Sequence, residues 1–255
     1  RFQNAEGHLE HANTTSWGVS TRMIGGVIMV HGDDDGLRVP PKIAPWQIVI
    51  VPMLRDSEED AAIVDYCRDL QGALAGLSAL GEPVRALLDL KSAKAATKRW
   101  GWVKKGAPIV IEVGGRDVAG GNVSVLRRDR LYREDGKLDS PVTPRDGFIG
   151  EAAAMLADIQ SSLHAEAKAR LRGNITRVDD WAGVEAMFAE SAVKPGWADV
   201  AWSRPTGAAL DKVVERLKAL KLTIRNAPMG QDAPDGVCIF NGAPAVERVL
   251  IGRSY

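Results

Sequence analysis

Gln47-Ile48-Val49-Ile50-Val51-Pro52 is a short run of β-branched residues closed by a proline, the pattern of a strand buried on both faces. Apolar residues then recur at helical spacing, at Ile63, Tyr66, Cys67, Leu70, Leu74 and Leu77. Asp56 with Glu59 resembles a capping box that would begin this helix, and Gly81-Glu82-Pro83 would end it. Further strands are predicted over residues 84–90, 108–113 and 122–126. This alternation predicts an α/β layer fold.

A different pattern precedes this segment. Ser16-Trp17-Gly18 predicts a strand with a tight glycine turn, followed by a mostly buried helix. The helix is predicted from helical spacing of Val19, Met23, Ile24, Val27 and Ile28. Asp33-Asp34-Asp35-Gly36 and the prolines that follow contain too many turn residues to continue any element. We therefore predict a first zone over 1–36, a linker over 37–45 and the α/β zone over 46–140.

A third zone is predicted over 141–255. Its first element is a long amphipathic helix that Gly173 stops, with one apolar stripe. The stripe consists of Phe148, Ala152, Leu156, Ile159, Leu163, Ala167 and Leu171. A helix around Trp181 follows, then a strand over 197–202, a helix over 208–220 and strands over 222–226 and 246–251. This zone is therefore also of mixed α/β type.

Composition excludes several classes of protein. The 255 residues include 33 Lys+Arg and 33 Asp+Glu, so the net charge is zero and no global positive field attracts nucleic acid. A hydrophobic fraction of 45% predicts a soluble globular chain rather than a disordered one. Cys67 and Cys238 form no disulfide framework, which favours a reducing, cytoplasmic location. The longest apolar stretch, residues 23–30, is too short to span a membrane.

Two basic clusters could bind RNA. The first interleaves Trp100 and Trp102 with Lys91, Lys94, Lys98, Arg99, Lys104 and Lys105. The second consists of Arg127, Arg128, Arg130 and Arg133. Cations beside exposed aromatic rings suit a single-stranded RNA loop, because they neutralise phosphates and stack on bases. The alternative, equally weighted, is that the charges are a solvated face and the tryptophans belong to the core.

Two glycine-containing motifs are candidate ligand sites. In the segment 16–22, Arg22 lies one turn into the predicted helix and could reach a phosphate, or it could simply pair with a carboxylate. In the segment 112–117, Glu112 ends a strand before a glycine-rich loop that could approach a base. The alternative there is a turn with an internal Arg116–Asp117 pair. No spacing of cysteine or histidine predicts a metal site or a catalytic triad.

Read together, these motifs resemble the prolyl-tRNA synthetase family, in its archaeal- and eukaryote-like branch, from the third class II motif to the C-terminus. The resemblance is colinear and rests on residues 15–25, 29–34, 39–45, 47–52, 105–108, 111–118, 127–129, 242–245 and 252–255. It implies that 1–36 ends a class II catalytic domain, that 46–140 is an α/β anticodon-binding domain with a mixed sheet, and that 141–255 is a C-terminal α/β domain.

The resemblance also implies chemistry and partners. The family activates L-proline with ATP and Mg²⁺, transfers it to proline tRNA, and works as a cytoplasmic homodimer without a membrane. By resemblance Arg22 is the catalytic arginine on the ATP phosphates and Ser20 lines the ATP site, while Trp17 and Gly18 line the proline and adenylate site. The candidate anticodon contacts are Lys105, Glu112, Arg116 and Asp117. The terminal Tyr255 is expected to fold back towards the active site.

The sequence departs from the family at two places. Many relatives carry a four-cysteine zinc site, whose positions here are Ser203, Ala208, Cys238 and Asn241. We therefore expect no zinc, with core packing around Trp197, Trp202 and Phe240 holding the domain instead. Nothing matches the first two class II motifs, so the chain is expected to be a C-terminal part, inactive by itself. The alternative function is a non-catalytic tRNA-binding protein, against which the segment 17–22 argues.

Overall fold

The computed structural model describes residues 1–12, 14–189, 195–231 and 234–253. The chain divides into two compact units, Arg1–His164 and Ala165–Tyr255. Among the described residues, no helix has both the length and the apolar character needed to cross a membrane.

The first unit begins with a small peripheral part. Strands β1 (Phe2–Gln3) and β2 (Leu9–Glu10) pair antiparallel, and helix α1 spans Arg22–His31. The predicted strand before α1 is wrong, because the described residues from 14 to 20 form none. The prediction of a mostly buried helix is also wrong, since no residue of α1 is buried. Its apolar side chains, such as Met29 at 76% exposure, have no covering element within the described chain.

A five-stranded mixed sheet forms the body of the first unit. The strands of this sheet, and the helices and short strands that connect them, follow one another along the chain as β3 (Ile48–Pro52), α2 (Asp60–Ala75), β4 (Ser78–Ala79), β5 (Glu82–Pro83), β6 (Ala86–Leu88), α3 (Ala95–Lys105), β7 (Ile109–Val113), α4 (Gly115–Gly120), β8 (Asn122–Arg127) and β9 (Val142–Pro144). The strand order is β6-β3-β7-β8-β9, with β6, β3 and β7 parallel and the last two antiparallel. Strands β4 and β5 form a separate hairpin. The mixed α/β fold expected from the sequence is thus confirmed.

Successive side chains of β3 point to opposite faces of the sheet and pack in two different hydrophobic cores. Ile48 and Ile50 join the larger core, which contains buried side chains of α2 and of the long helix α5 (Arg145–Gly173). Val49 and Val51 join a smaller core on the other face, with Val103 of α3. The sequence assigns α5 to the third zone, yet its buried stripe packs in the core of the first sheet. Its apolar residues therefore complete the first unit before the helix continues into the second.

The start of α2 differs from the predicted capping box. Glu59 precedes the helix without a side-chain cap, and the Asp60 carboxylate instead accepts hydrogen bonds from the backbone N–H groups of Arg55 and Asp56 at 2.9–3.2 Å. The bond from the Arg55 N–H leads the causes that hold the pKa of Asp60 below its usual value. Asp60 thereby fixes the loop that follows β3.

The second unit contains a four-stranded sheet. Its elements are β10 (Ile175–Arg177), α6 (Trp181–Met187), β11 (Trp197–Trp202), α7 (Ala208–Ala219), β12 (Leu222–Asn226) and β13 (Glu247–Arg253), with strand order β10-β11-β13-β12. Phe240 contacts the rings of Trp181 and Trp202 at centroid distances of 5.4 and 5.5 Å. Trp197 lies against Gly252, where a Cβ would come within 2.8 Å of its ring.

Candidate nucleic-acid interface

A cavity of about 710 Å³ opens where β3 and β7 end. The two strand ends are joined by a 2.8 Å hydrogen bond from the Met53 N–H to the Val113 carbonyl. Three segments line the cavity: the loop after β3, the first turn of α2 and the segment 114–119. The carboxyl edge of parallel strands is where open α/β sheets hold their ligands. The fold therefore places a concave surface where a ligand site is expected.

Arg116 and Asp117 both line this cavity, but they do different things. The Asp117 carboxylate accepts a 2.8 Å hydrogen bond from the Gly114 N–H and so caps α4. The alternative prediction of an internal Arg116–Asp117 pair is wrong, because the Asp117 carboxylate binds the Gly114 N–H and no ion pair joins it to Arg116 among the described residues. Arg116 is exposed and has no acidic partner in the described part of the chain. Its guanidinium is available to a ligand.

Glu112 lies on the other face of the sheet. Strand alternation directs it towards α3, where Arg99 Nη1 donates to its two carboxylate oxygens at 2.9 and 3.1 Å. The Glu112 side chain is only 11% exposed. Arg99 Nε is buried and finds no acceptor among the described residues. Glu112 is therefore an engaged carboxylate with a narrow exposed edge.

Lys105 lies at the opposite end of β7. It ends α3, four residues before the strand begins, and its ammonium lies 4.4 Å from the centre of the Trp102 ring. Because β7 advances about 13 Å from Ile109 to Val113, Lys105 and Arg116 are at different edges of the sheet. The structure thus brings together Arg116 and Asp117 but joins neither Glu112 nor Lys105 to their cavity.

The sequence reasoning missed three charged residues of the cavity, Arg55, Glu59 and Asp60. A Cβ at Gly115 would lie 3.0 Å from Glu59 Oε2, so this carboxylate sits directly over the start of α4. Their positions in the sequence were the available signal. Charged residues that directly follow one buried parallel strand lie close to those that directly follow the neighbouring parallel strand. The parallel pairing of β3 with β7 is what brings them together.

Several cations of the predicted basic clusters are engaged within the fold. Lys98 is buried and donates to the Asp89 carbonyl at 2.9 Å. Arg127 pairs with Asp129 and Asp158 at 2.8 and 2.7 Å. Arg128 is buried and pairs with Asp33. For these residues the RNA interpretation is wrong, because their charges hold the fold.

The residues assigned to the nucleotide site form no enclosed pocket in the described chain. Trp17 is 94% exposed, and a Cβ at Gly18 would meet nothing within 4 Å. Ser20 precedes α1 and Arg22 begins it, both exposed, and Arg22 has no carboxylate partner among the described residues. Tyr255 lies outside the described residues. The roles of these five residues stay predictions.

The four positions at which the resemblance implies a zinc site do not suit a metal here. Ser203 Oγ and Asn241 Oδ1 are joined by a 3.2 Å hydrogen bond, while Ala208 begins α7 and offers no donor. Cys238 is buried and is the single thiol of the four. A structural zinc site needs thiolates or imidazoles at these positions, so the donor set does not fit. No group of three or more His, Cys, Asp or Glu side chains able to hold a metal occurs in the described ranges.

Comparison with known families agrees with this geometry. Residues 47–143 match the model of the anticodon binding domain, a segment that includes β3 to β8, the cavity and both Glu112 and Arg116. The sheet and its cavity thus belong to a segment that is similar to an anticodon binding domain.

Whole-chain comparison is more specific. The chain is 70% identical over its whole length to a proline--tRNA ligase of Sphingomonas elodea, 64% to that of Sphingopyxis alaskensis and 57% to that of Novosphingobium aromaticivorans. It spans about half the length of these curated relatives, covering 50%, 48% and 50% of them. The chain is thus homologous, from end to end, to part of a prolyl-tRNA synthetase.

Proposed function

We propose that this chain is part of a prolyl-tRNA synthetase of the archaeal- and eukaryote-like branch. The complete enzyme activates L-proline with ATP and Mg²⁺ and transfers it to proline tRNA, as a cytoplasmic homodimer. This chain supplies the third class II motif, the anticodon-binding domain and the C-terminal domain. The observation that carries the proposal is whole-length identity to half of several proline--tRNA ligases, combined with an open cavity inside the anticodon-domain match.

The chemistry of the cavity suits the bases that a proline tRNA presents. Proline codons begin with two cytosines, so proline anticodons carry two guanines. The Watson–Crick edge of guanine offers two N–H donors and the O6 acceptor. A carboxylate can accept from both donors, and a guanidinium can donate to O6. A site that recognises guanine therefore needs an acidic and a basic side chain next to each other.

Glu59 and Arg116 meet that requirement. Both are exposed, both line the cavity, and Glu59 Oε2 lies over Gly115, the neighbour of Arg116. The two other acids of the cavity are engaged, Asp60 with the loop backbone and Asp117 with the Gly114 N–H. We assign guanine recognition to Glu59 and Arg116, with Asp117 holding the α4 turn in place.

Glu112 and Lys105 serve the same RNA in other ways. The exposed edge of Glu112 can accept one hydrogen bond from a base while Arg99 holds the carboxylate. Lys105 is exposed and can contact a phosphate. Both are proposed as contacts outside the guanine cavity.

On the catalytic side, Arg22 would stabilise charge on the ATP phosphates as the proline carboxylate attacks the α-phosphorus. Ser20, Trp17 and Gly18 would line that site, and Tyr255 would approach it. In the complete enzyme, Arg22→Ala should abolish proline-dependent exchange of pyrophosphate into ATP and leave tRNA binding nearly intact. Loss of both together would mean that Arg22 is structural.

The test of RNA recognition uses this full chain and anticodon stem-loops in a binding titration. The proline stem-loop should bind tighter than one with a swapped anticodon. Glu59→Gln should cost about 1–3 kcal/mol with the proline stem-loop and much less with the swapped one. An inosine in place of the contacted guanine, which lacks the 2-amino donor, should weaken wild type but not Glu59→Gln.

Arg116→Ala should likewise weaken binding of the proline stem-loop more than binding of the swapped one. Arg172→Ala, which removes an exposed arginine from the last turn of α5, is the charge-matched control and should change both stem-loops little. Equal weakening of all stem-loops by Glu59→Gln would exclude base recognition at this cavity.

A further inference from the structure

Two adjoining cavities, of about 320 and 550 Å³, share Trp46 and Trp102, and the larger one is lined by Leu87 and Leu88 of β6. We call them together the Trp46 groove. Its lining also includes Asp89, Lys91 and Lys105. Strand β6 is the outer strand of the sheet, so this groove is open to solvent along the sheet edge. No assignment made above uses it as a whole.

The two tryptophans play unequal parts. Trp102 is fixed: its Nε1 donates to Asp89 Oδ2 at 2.7 Å, and Lys105 sits over its ring. Trp46 is 41% exposed and makes no hydrogen bond through its indole N–H among the described residues. An exposed aromatic face beside a rigid wall is the geometry on which an unpaired base stacks. Trp46 is therefore the free stacking surface of the groove.

The charges of the groove favour an anionic occupant. Lys91 and Lys105 are exposed, and neither has an acidic partner in the described part of the chain. Asp89 is the one acid among the described residues that line the groove, and its carboxylate is occupied by Trp102 and by the Lys91 N–H. An apolar peptide strand would cover the tryptophans but leave both ammonium groups without a counter-charge. A nucleotide satisfies both requirements.

We propose that the Trp46 groove binds one unpaired nucleotide of the tRNA, whose base stacks on Trp46 while flanking phosphates contact Lys91 and Lys105. This inference rests on the proposed function, because it assumes that the chain binds tRNA. It adds a second RNA contact, chemically distinct from the guanine cavity: stacking accepts any base, whereas Glu59 and Arg116 discriminate among them. The groove would strengthen binding without contributing to anticodon choice.

The experiment is a titration of the full chain with proline anticodon stem-loops, intact or carrying a single abasic site at each loop nucleotide outside the anticodon. Trp46→Ala should weaken the intact stem-loop about tenfold, within the range expected for losing one base stack. One abasic position should weaken wild type by a similar factor and leave Trp46→Ala unaffected. Trp46→Phe keeps an aromatic face and should retain most of the affinity. Met229→Ala, at a residue 99% exposed in the second unit, is the control for loss of a surface apolar side chain.

The proposed phosphate contacts of Lys91 and Lys105 are tested separately, by the salt dependence of binding. The double variant Lys91→Ala/Lys105→Ala should reduce the slope of log affinity against log salt by about 0.7 for each lost phosphate contact. Lys218→Ala, an exposed lysine of α7, should leave the slope unchanged.

The outcomes separate the groove from the proposed function. If wild type prefers the proline anticodon but Trp46→Ala binds as tightly as wild type, the groove inference is overturned and the function stands. The same holds if Trp46→Ala impairs only assembly with the rest of the enzyme, which would make the groove a protein contact. If wild type shows no preference among stem-loops while the abasic coupling to Trp46 persists, anticodon readout fails and the groove survives.

Discussion

Arg128 and Asp33, 95 residues apart in sequence, form a bidentate ion pair. Arg128 Nη1 donates to Asp33 Oδ2 at 2.8 Å, Nη2 donates to Oδ1, and Nε donates to the Val103 carbonyl at 3.0 Å. The adjoining segment is also docked, since the Leu37 and Val39 N–H groups donate to the carbonyls of Lys104 and Gly106. The segment 33–39, expected in part to be a linker, is therefore attached to α3 and to the strand β8 side of the sheet.

Asp33→Asn should destabilise the first unit by about 1–2 kcal/mol. The substitution leaves the buried Arg128 guanidinium without its counter-charge, and the value is below that of a fully buried pair because Asp33 is a third exposed. Chemical denaturation monitored by circular dichroism measures it. Asp34→Asn is the matched control, and an equal loss from both variants would contradict a specific role for the pair.

The same pair gives stability a defined pH dependence. Burial alone would raise the pKa of Asp33, but the hydrogen bonds and charge of Arg128 outweigh it and hold the pKa below its usual value. A carboxyl whose pKa is lowered on folding stabilises the protein above its unfolded pKa, and this contribution disappears as pH falls through the folded value. Unfolding free energy should therefore decline below about pH 4. The decline should be shallower in Asp33→Asn, and identical pH profiles would contradict the assignment.

Gly106→Ala should cost more than Gly121→Ala. Both glycines end helices in the left-handed region, with φ of +79° and +65°. A Cβ at Gly106 would lie 2.5 Å from the Leu37 carbonyl oxygen, whereas one at Gly121 would meet nothing within 4 Å. We expect about 1 kcal/mol for Gly121→Ala, from backbone strain alone, and at least twice that for Gly106→Ala. Comparable losses in thermal denaturation would mean that the close approach of residue 37 is not maintained.

Leu156→Ala should destabilise the first unit by about 2–5 kcal/mol, because the side chain is fully buried in the core that α5 shares with the sheet. Leu171→Ala, on the same helix but 53% exposed, should change stability by less than about 0.5 kcal/mol. Hydrogen exchange of β3 and β7 amides would show which unit responds. Unchanged exchange in these strands after Leu156→Ala would contradict the packing of α5 on this sheet.

Zinc or a chelator should leave the melting temperature of the second unit unchanged. The Ser203–Asn241 hydrogen bond and a single thiol offer no set of ligands for the metal. A genuine site saturated a thousandfold above its Kd would add about 4 kcal/mol to stability. Calorimetry with added zinc and with chelator distinguishes the two cases, and a zinc-dependent rise would overturn the expectation.

How much the sequence could predict varied with the kind of element. The strands Trp197–Trp202 and Leu222–Asn226 have the predicted bounds, because short runs with aromatic or β-branched residues between turns and helices carry a strong local signal. Helix α3 was not predicted, since its buried residues are only Lys98 and Val103 and its surface is basic. The acidic partner of Arg128 in the second basic cluster is Asp33, 95 residues away, so local composition indicated RNA-binding charge where the fold forms an ion pair.

Only part of the candidate site could be predicted from the sequence. The segment 112–117 was identified from its own glycines and charges. Glu59 was not, because its approach to Gly115 follows from the parallel pairing of β3 with β7, which no local pattern specifies. Arg99 binding to Glu112 similarly depends on how α3 crosses the sheet.

The docking of the segment 33–39 also determines where the domain that contains the cavity could be cut from the chain. The family match covers residues 47–143. A fragment cut at those limits would keep the Arg128 guanidinium but discard its counter-ion, and it would lose the α5 side chains that close the larger core. A fragment that keeps these contacts is therefore longer at both ends than the segment that matches the family model, and extends from Asp33 to His164.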